Sequence, residues 1–133
     1  MGTKTILIVD DSEESRLILS AVLKAKHYRT VFAADALQAI SMAQWARPDA
    51  ILLDLGLPGG NGLIVLQRLK ANTSLGNIPV IIVTAAAPEV AEARTIEGGA
   101  VAFLQKPVEH HKLLAVIEQA LADTSKEDKK VIQ

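Results

Sequence analysis

Five short apolar runs recur along the chain, and each is followed by a stretch whose apolar residues fall at helical spacing. The runs extend from Thr5 to Val9, Tyr28 to Ala33, Ala50 to Leu53, Pro79 to Val83 and Val101 to Leu104. Runs this short, apolar at consecutive positions and rich in β-branched residues, read as strands covered on both faces. The second run is more polar and suits an edge. Strand and helix alternate without long gaps. That pattern implies a parallel sheet with right-handed crossovers and helices on both faces. The 133 residues suffice for one such domain and not for two. A doubly wound α/β domain of this length is expected to take the strand order 2-1-3-4-5.

The helices carry their own signals. Asp11 and Ser12 suit an N-cap ahead of a first helix, with Leu17, Ile18, Ala21, Val22 and Ala25 as its apolar face. Asp35 caps a second helix, with Leu37, Ile40, Ala43 and Trp45 expected inward. A third helix runs from Leu63 to Lys70, with Leu63, Leu66 and Leu69 inward. A fourth runs from Glu89 to Glu97 and is stopped by Gly98-Gly99. The fifth spans Glu109 to Ala122, with Leu113, Leu114, Ile117 and Leu121 on one side. The domain is expected over 1–122, with the charged segment 123–133 as a flexible tail or linker. Only 3% of residues are aromatic, so the core falls to Ala, Val, Ile and Leu. A net charge of −1 with both signs dispersed gives no basic face for nucleic acid or a membrane surface. The absence of cysteine removes disulfides and thiolate metal sites. There is no signal-peptide pattern at Met1 and no apolar run near the ~20 residues of a membrane span, so a cytoplasmic domain is expected.

All strands of a parallel sheet point the same way, so their carboxyl ends share one rim, where open α/β sheets gather ligands. The first strand delivers Asp10-Asp11 to that rim, the third Asp54, the fourth Thr84 and the fifth Lys106. Beyond Asp54, the residues Gly56, Pro58, Gly59, Gly60 and Gly62 stop the strand. Taken singly, each site residue has an ordinary explanation as a helix cap, a turn, a strand end or a surface lysine. Together they bring carboxylates, a hydroxyl and an ammonium to one place, the set a phosphoryl-transfer site needs.

Two carboxylates about 4 Å apart repel by roughly 4 kcal/mol at an effective dielectric near 20. A divalent cation relieves that repulsion. Oxygen-only ligands without His or Cys suit Mg²⁺. Asp54 can then attack an activated phosphorus and form an acyl phosphate. Lys106 can pair with one phosphoryl oxygen and Thr84 can donate to another. His27, His110 and His111 read as solvated surface histidines, and the adjacent His110 and His111 face different ways on a helix and make a poor metal pair.

With these residues in place, the chain resembles the receiver domains of two-component response regulators, a flavodoxin-like family. The match covers about residues 4–122. It rests on Asp10-Asp11, on Asp54-Leu55-Gly56-Leu57-Pro58-Gly59-Gly60-Asn61-Gly62, on Thr84-Ala85, on Gly99-Ala100, and on Phe103 ahead of Lys106-Pro107. The resemblance implies that Asp54 is the phosphoacceptor, taking its phosphoryl group from a histidine kinase or phosphotransfer protein. It implies Mg²⁺, replaceable by Mn²⁺, held by Asp10, Asp11, Asp54 and the backbone carbonyl of Gly56. Thr84, the Ala85 backbone and Lys106 would bind phosphoryl oxygens, and the Lys106-Pro107 peptide would be cis. Thr84 and Phe103 would form the switch, Thr84 moving inward with Phe103 following. The surface of helix 4, strand 5 and helix 5 would then change for a downstream protein or an output domain, or for a phosphorylation-dependent homodimer. Gly56 and Ala86 lack the polar side chains that tune phosphoryl lifetime in the family.

The protein is therefore expected to be a regulatory phosphoacceptor rather than an enzyme with its own substrate. It would act alone or as part of a larger regulator or hybrid kinase. The alternative is a receiver-like scaffold that binds partners without phosphorylation. A hydrolase with an aspartyl intermediate on strand 1 is disfavoured, because Asp10-Asp11-Ser12 lacks an Asp-x-Asp spacing.

Overall fold

The computed structural model describes residues 2–58 and 62–132, with side chains as far as Thr124. Its elements are β1 (Thr5–Val9), α1 (Glu13–Lys24), β2 (Arg29–Ala33), α2 (Ala36–Ala46) and β3 (Ala50–Leu53). They continue with α3 (Gly62–Ala71), β4 (Val80–Thr84), α4 (Pro88–Glu97), β5 (Ala102–Gln105) and α5 (His110–Ile132). Among the described residues the strands form one sheet in the order β2-β1-β3-β4-β5, and every pairing is parallel. The doubly wound order expected from the sequence is the one observed.

Side chains along a strand alternate between the faces of the sheet, and each face is covered. Ile6, Ile8, Leu52, Ile81 and Val83 pack under Leu19 and Leu23 of α1 and Leu113 and Ile117 of α5. Leu7, Val9, Ile51, Leu53 and Ile82 pack on the other face, under Ala39 and Ala43 of α2 and Val65, Leu66 and Leu69 of α3. The central strands β1, β3 and β4 are buried almost throughout, which is why they read as unbroken apolar runs.

Two helix faces differ from expectation. In α1 the inward residues are Leu19, Ser20 and Leu23, whereas Leu17 and Ile18 are 60% and 50% exposed. Polar contacts set this rotation: Ser20 Oγ lies 3.0 Å from Thr30 Oγ1, and Arg16 donates to the Asp10 carbonyl. In α2 the small residues Ala39 and Ala43 face the sheet, and Leu37 and Trp45 are 77% and 78% exposed. Small side chains bring the helix close to the strands and leave the large ones outside. Asp35 does cap α2, accepting from the Gln38 N–H at 2.8 Å while Gln38 Oε1 accepts from the Ala34 N–H.

The fifth helix also continues past the expected end at Ala122, to Ile132. From Asp123 onward the sequence has no Gly or Pro to stop it, and Glu, Asp and Lys residues are good or tolerated helix formers. Glu109 stands just outside this helix. Its carboxylate accepts from the N–H groups of His111 and Lys112, both at 2.9 Å.

Candidate functional site

Each strand end enters the site through a backbone bond that extends its ladder by one residue. The Asp10 N–H donates to the Ala33 carbonyl at 3.0 Å, and the Asp54 N–H to the Val9 carbonyl at 2.9 Å. The Lys106 N–H donates to the Thr84 carbonyl at 2.8 Å. The rim is thus fixed by sheet geometry before any side chain is placed.

The side chains then converge. Lys106 Nζ donates to Asp10 Oδ2 at 2.6 Å and to Asp54 Oδ2 at 2.9 Å, joining two acids that topology alone brings together. Thr84 Oγ1 donates to Asp54 Oδ1 at 2.8 Å, and the Gly56 N–H donates to the same oxygen at 3.0 Å. Asp10 Oδ1 accepts from the Ser12 N–H at 3.0 Å. Asp10 and Thr84 are buried, while Asp11 is exposed at the mouth.

Burial would raise the Asp54 carboxyl, but the Gly56 N–H, the Lys106 ammonium and the Thr84 hydroxyl outweigh it and hold it below the ordinary carboxylate range. Burial would lower the Lys106 ammonium, yet its bonds to Asp10 and Asp54 raise it above the ordinary lysine value. Both groups are therefore charged at neutral pH. Asp10, Asp11 and Asp54 each offer a carboxylate oxygen within 4.8 Å of the others. Three acids against one ammonium leave a net negative site built only of oxygen donors. That composition fits a hard divalent cation such as Mg²⁺ and gives a softer metal no ligand of its preference.

The structure brings Asp10, Asp11, Asp54, Thr84 and Lys106 to one rim, where the sequence puts them. Asp11 is not the cap of α1; Ser12 is, its Oγ accepting from the Ser15 N–H at 3.2 Å. Asp11 is thereby left free to face the site. The Lys106-Pro107 peptide is cis. Phe103 is half-buried on β5 beside Ile82, and Ala85 is exposed directly after Thr84. The expected open glycine loop includes Gly59, Gly60 and Asn61, which lie outside the described residues.

Arg16 escapes the sequence reading, and Gly62 appears there only as a loop and motif glycine. Gly62 opens α3 with its N–H on the Leu55 carbonyl at 2.9 Å. A Cβ there would sit 2.5 Å from the Asp54 carbonyl oxygen and 2.6 Å from Leu55 Cα, so only glycine lets α3 begin against the acceptor loop. Arg16 donates from Nη1 to the Asp10 carbonyl at 2.8 Å. Its sequence signal was a polar residue in register with Leu23 on the inward face of α1.

Comparison with known proteins agrees with this geometry. The model of the response regulator receiver domain family matches residues 6–118. The polar-differentiation response regulator DivK of Brucella anthropi is 36% identical over 120 residues, which is 90% of this chain and 98% of that protein. A CheY-like receiver domain protein from Methanospirillum hungatei superposes with a TM-score of 0.88 at 27% identity, covering 95% of this chain and 99% of the other. The receiver domain of a sensor histidine kinase from Pseudomonas aeruginosa superposes with a TM-score of 0.83 at 27% identity, covering 91% and 99%. That neighbour was crystallised with a magnesium ion coordinated in its active-site cleft. A rim that gathers acids, a hydroxyl and a lysine from four strand ends thus coincides with a family match over most of the chain, and the protein belongs to the response regulator receiver domains of two-component signalling.

Proposed function

We propose that the protein is a phosphoacceptor switch in which Asp54 takes a phosphoryl group from a phosphohistidine of a histidine kinase or phosphotransfer protein. One observation carries this reading: Thr84 and Lys106 both donate to the Asp54 carboxylate, beside the carboxylates of Asp10 and Asp11. In the transfer an Asp54 oxygen attacks phosphorus. The new P–O bond forms as the P–N bond to the donor imidazole breaks, and the released nitrogen regains a proton from water. Hydrolysis of the acyl phosphate returns the carboxylate and releases inorganic phosphate.

Asp10, Asp11, Asp54 and the Gly56 carbonyl would hold Mg²⁺, or Mn²⁺ in its place, and the ion would neutralise charge on the phosphoryl oxygens. The chain's own groups do the positioning. The Thr84 hydroxyl and the Lys106 ammonium pass from the carboxylate to the phosphoryl oxygens, where the Ala85 backbone N–H joins them. Thr84 and Phe103 then bias the packing of β4 against β5. The readout is the face of α4, β5 and α5. A downstream protein, an output domain or a second copy of the chain would bind there, in the cytoplasm. Among the described residues no helix is long and apolar enough to cross a membrane.

Incubation with acetyl phosphate and Mg²⁺, read by intact mass, tests the assignment. The wild type should gain one phosphoryl group and Asp54→Asn none. Equal labelling of the variant would move the acceptor elsewhere.

A further inference from the structure

Arg16, Ser20 and Leu23 lie at helical spacing on the face that α1 turns toward the sheet, where an arginine needs a reason. Arg16 is half-buried, and its Nη1 reaches the backbone carbonyl of Asp10 at 2.8 Å. The Asp10 carboxylate is engaged elsewhere, by Ser12 and Lys106. The carbonyl that Arg16 holds belongs to the peptide plane joining Asp10 to Asp11. A planar peptide fixed at one end fixes the direction in which the next residue leaves. Asp11 is exposed, and among the described residues its carboxylate has no hydrogen bond to hold it in place.

We infer that Arg16 is a positioning residue: it orients the Asp10–Asp11 peptide so that the Asp11 carboxylate stays beside those of Asp10 and Asp54. The inference rests on the phosphoacceptor reading for its purpose, but its geometry is independent of it. Charge and position pull in opposite directions here. A cation near the site repels Mg²⁺, so an arginine acting only through charge would weaken metal binding. An arginine that holds Asp11 in place strengthens it.

The test compares the wild type with Arg16→Met, which keeps the stem and removes donor and charge, and Arg16→Lys, which keeps the charge and a donor. Affinity for Mg²⁺ is read from the Mg²⁺ dependence of Tm. It should fall about tenfold in Arg16→Met, as for other residues that orient metal ligands, and largely recover in Arg16→Lys. In the metal-free protein, amide exchange at Asp11 and Ser12 should accelerate in Arg16→Met, while exchange within β1 stays unchanged. Mg²⁺ binding as tight as wild type or tighter in Arg16→Met, with unaltered exchange at Asp11 and Ser12, would overturn the inference. Accelerated exchange throughout β1 would overturn it too, by making Arg16 a general support of the fold. A wild type that does not respond to Mg²⁺ would sink the metal assignment, and the metal-free exchange would still decide the role of Arg16.

Discussion

Asp49 and Asp54 stand at the two ends of β3 and are put to opposite uses. Asp49 closes the amino end locally. Its N–H donates to the Thr5 carbonyl at 2.7 Å, Oδ2 accepts from the Thr5 N–H at 2.8 Å, and Lys4 lies 3.9 Å away in solvent. Asp54 also extends a ladder with its N–H, but its carboxylate meets side chains from β4 and from the end of β5. The lysines divide in the same way. Lys70 donates to the carbonyls of Gly76 and Ile78, whereas Lys106 bridges two carboxylates. A charged group bonded to nearby backbone finishes a fold. One held by other charged side chains, gathered by topology, is available for chemistry.

The largest stability effect is expected at the Asp54 end, through backbone rather than charge. Gly62→Ala forces a Cβ into the Asp54 carbonyl and should cost about 2–3 kcal/mol in a urea melt. A loss within the noise of the melt would show that the acceptor loop yields. Next comes Lys106→Met, which leaves the buried Asp10 facing Asp54 without an ammonium. In metal-free buffer it should lose about 1–2 kcal/mol, a buried-pair penalty discounted because Lys106 is partly solvated. Mg²⁺ should then stabilise the variant more than the wild type, and an equal response would argue that Lys106 and the cation do not share ligands.

Acid should bear on the Asp54 end. The Asp54 carboxyl is lowered in the folded state, so its contribution is present above the ordinary carboxylate value and lost as pH falls through the lower folded one. The wild type should therefore lose stability more steeply below about pH 4 than Asp54→Asn, and parallel acid limbs would show that the Asp54 bonds contribute nothing. The smallest effect is expected for Asp49→Asn, which can still accept from the Thr5 N–H. It should cost about 0.5 kcal/mol and leave acetyl phosphate labelling unchanged.

The strand order and the converging rim were legible in the sequence, because buried parallel strands write unbroken apolar runs and the residues after them share an edge. The rotation of α1 and α2 was not. Apolar spacing pointed Leu17, Leu37 and Trp45 inward, but Arg16, Ser20 and two alanines decide which faces approach the sheet. Nor did the sequence show which donor meets which oxygen. That Gly56 offers its N–H to Asp54, or that Gly62 must lack a Cβ, depends on distances across a turn rather than on any periodicity.

Both oxygens of the Asp54 carboxylate already carry donors, Thr84 and Gly56 on one and Lys106 on the other. Whichever oxygen met phosphorus would first have to give up a hydrogen bond. Under the proposed mechanism the released donor would be taken up again by a phosphoryl oxygen, so the transfer would exchange hydrogen bonds rather than lose them.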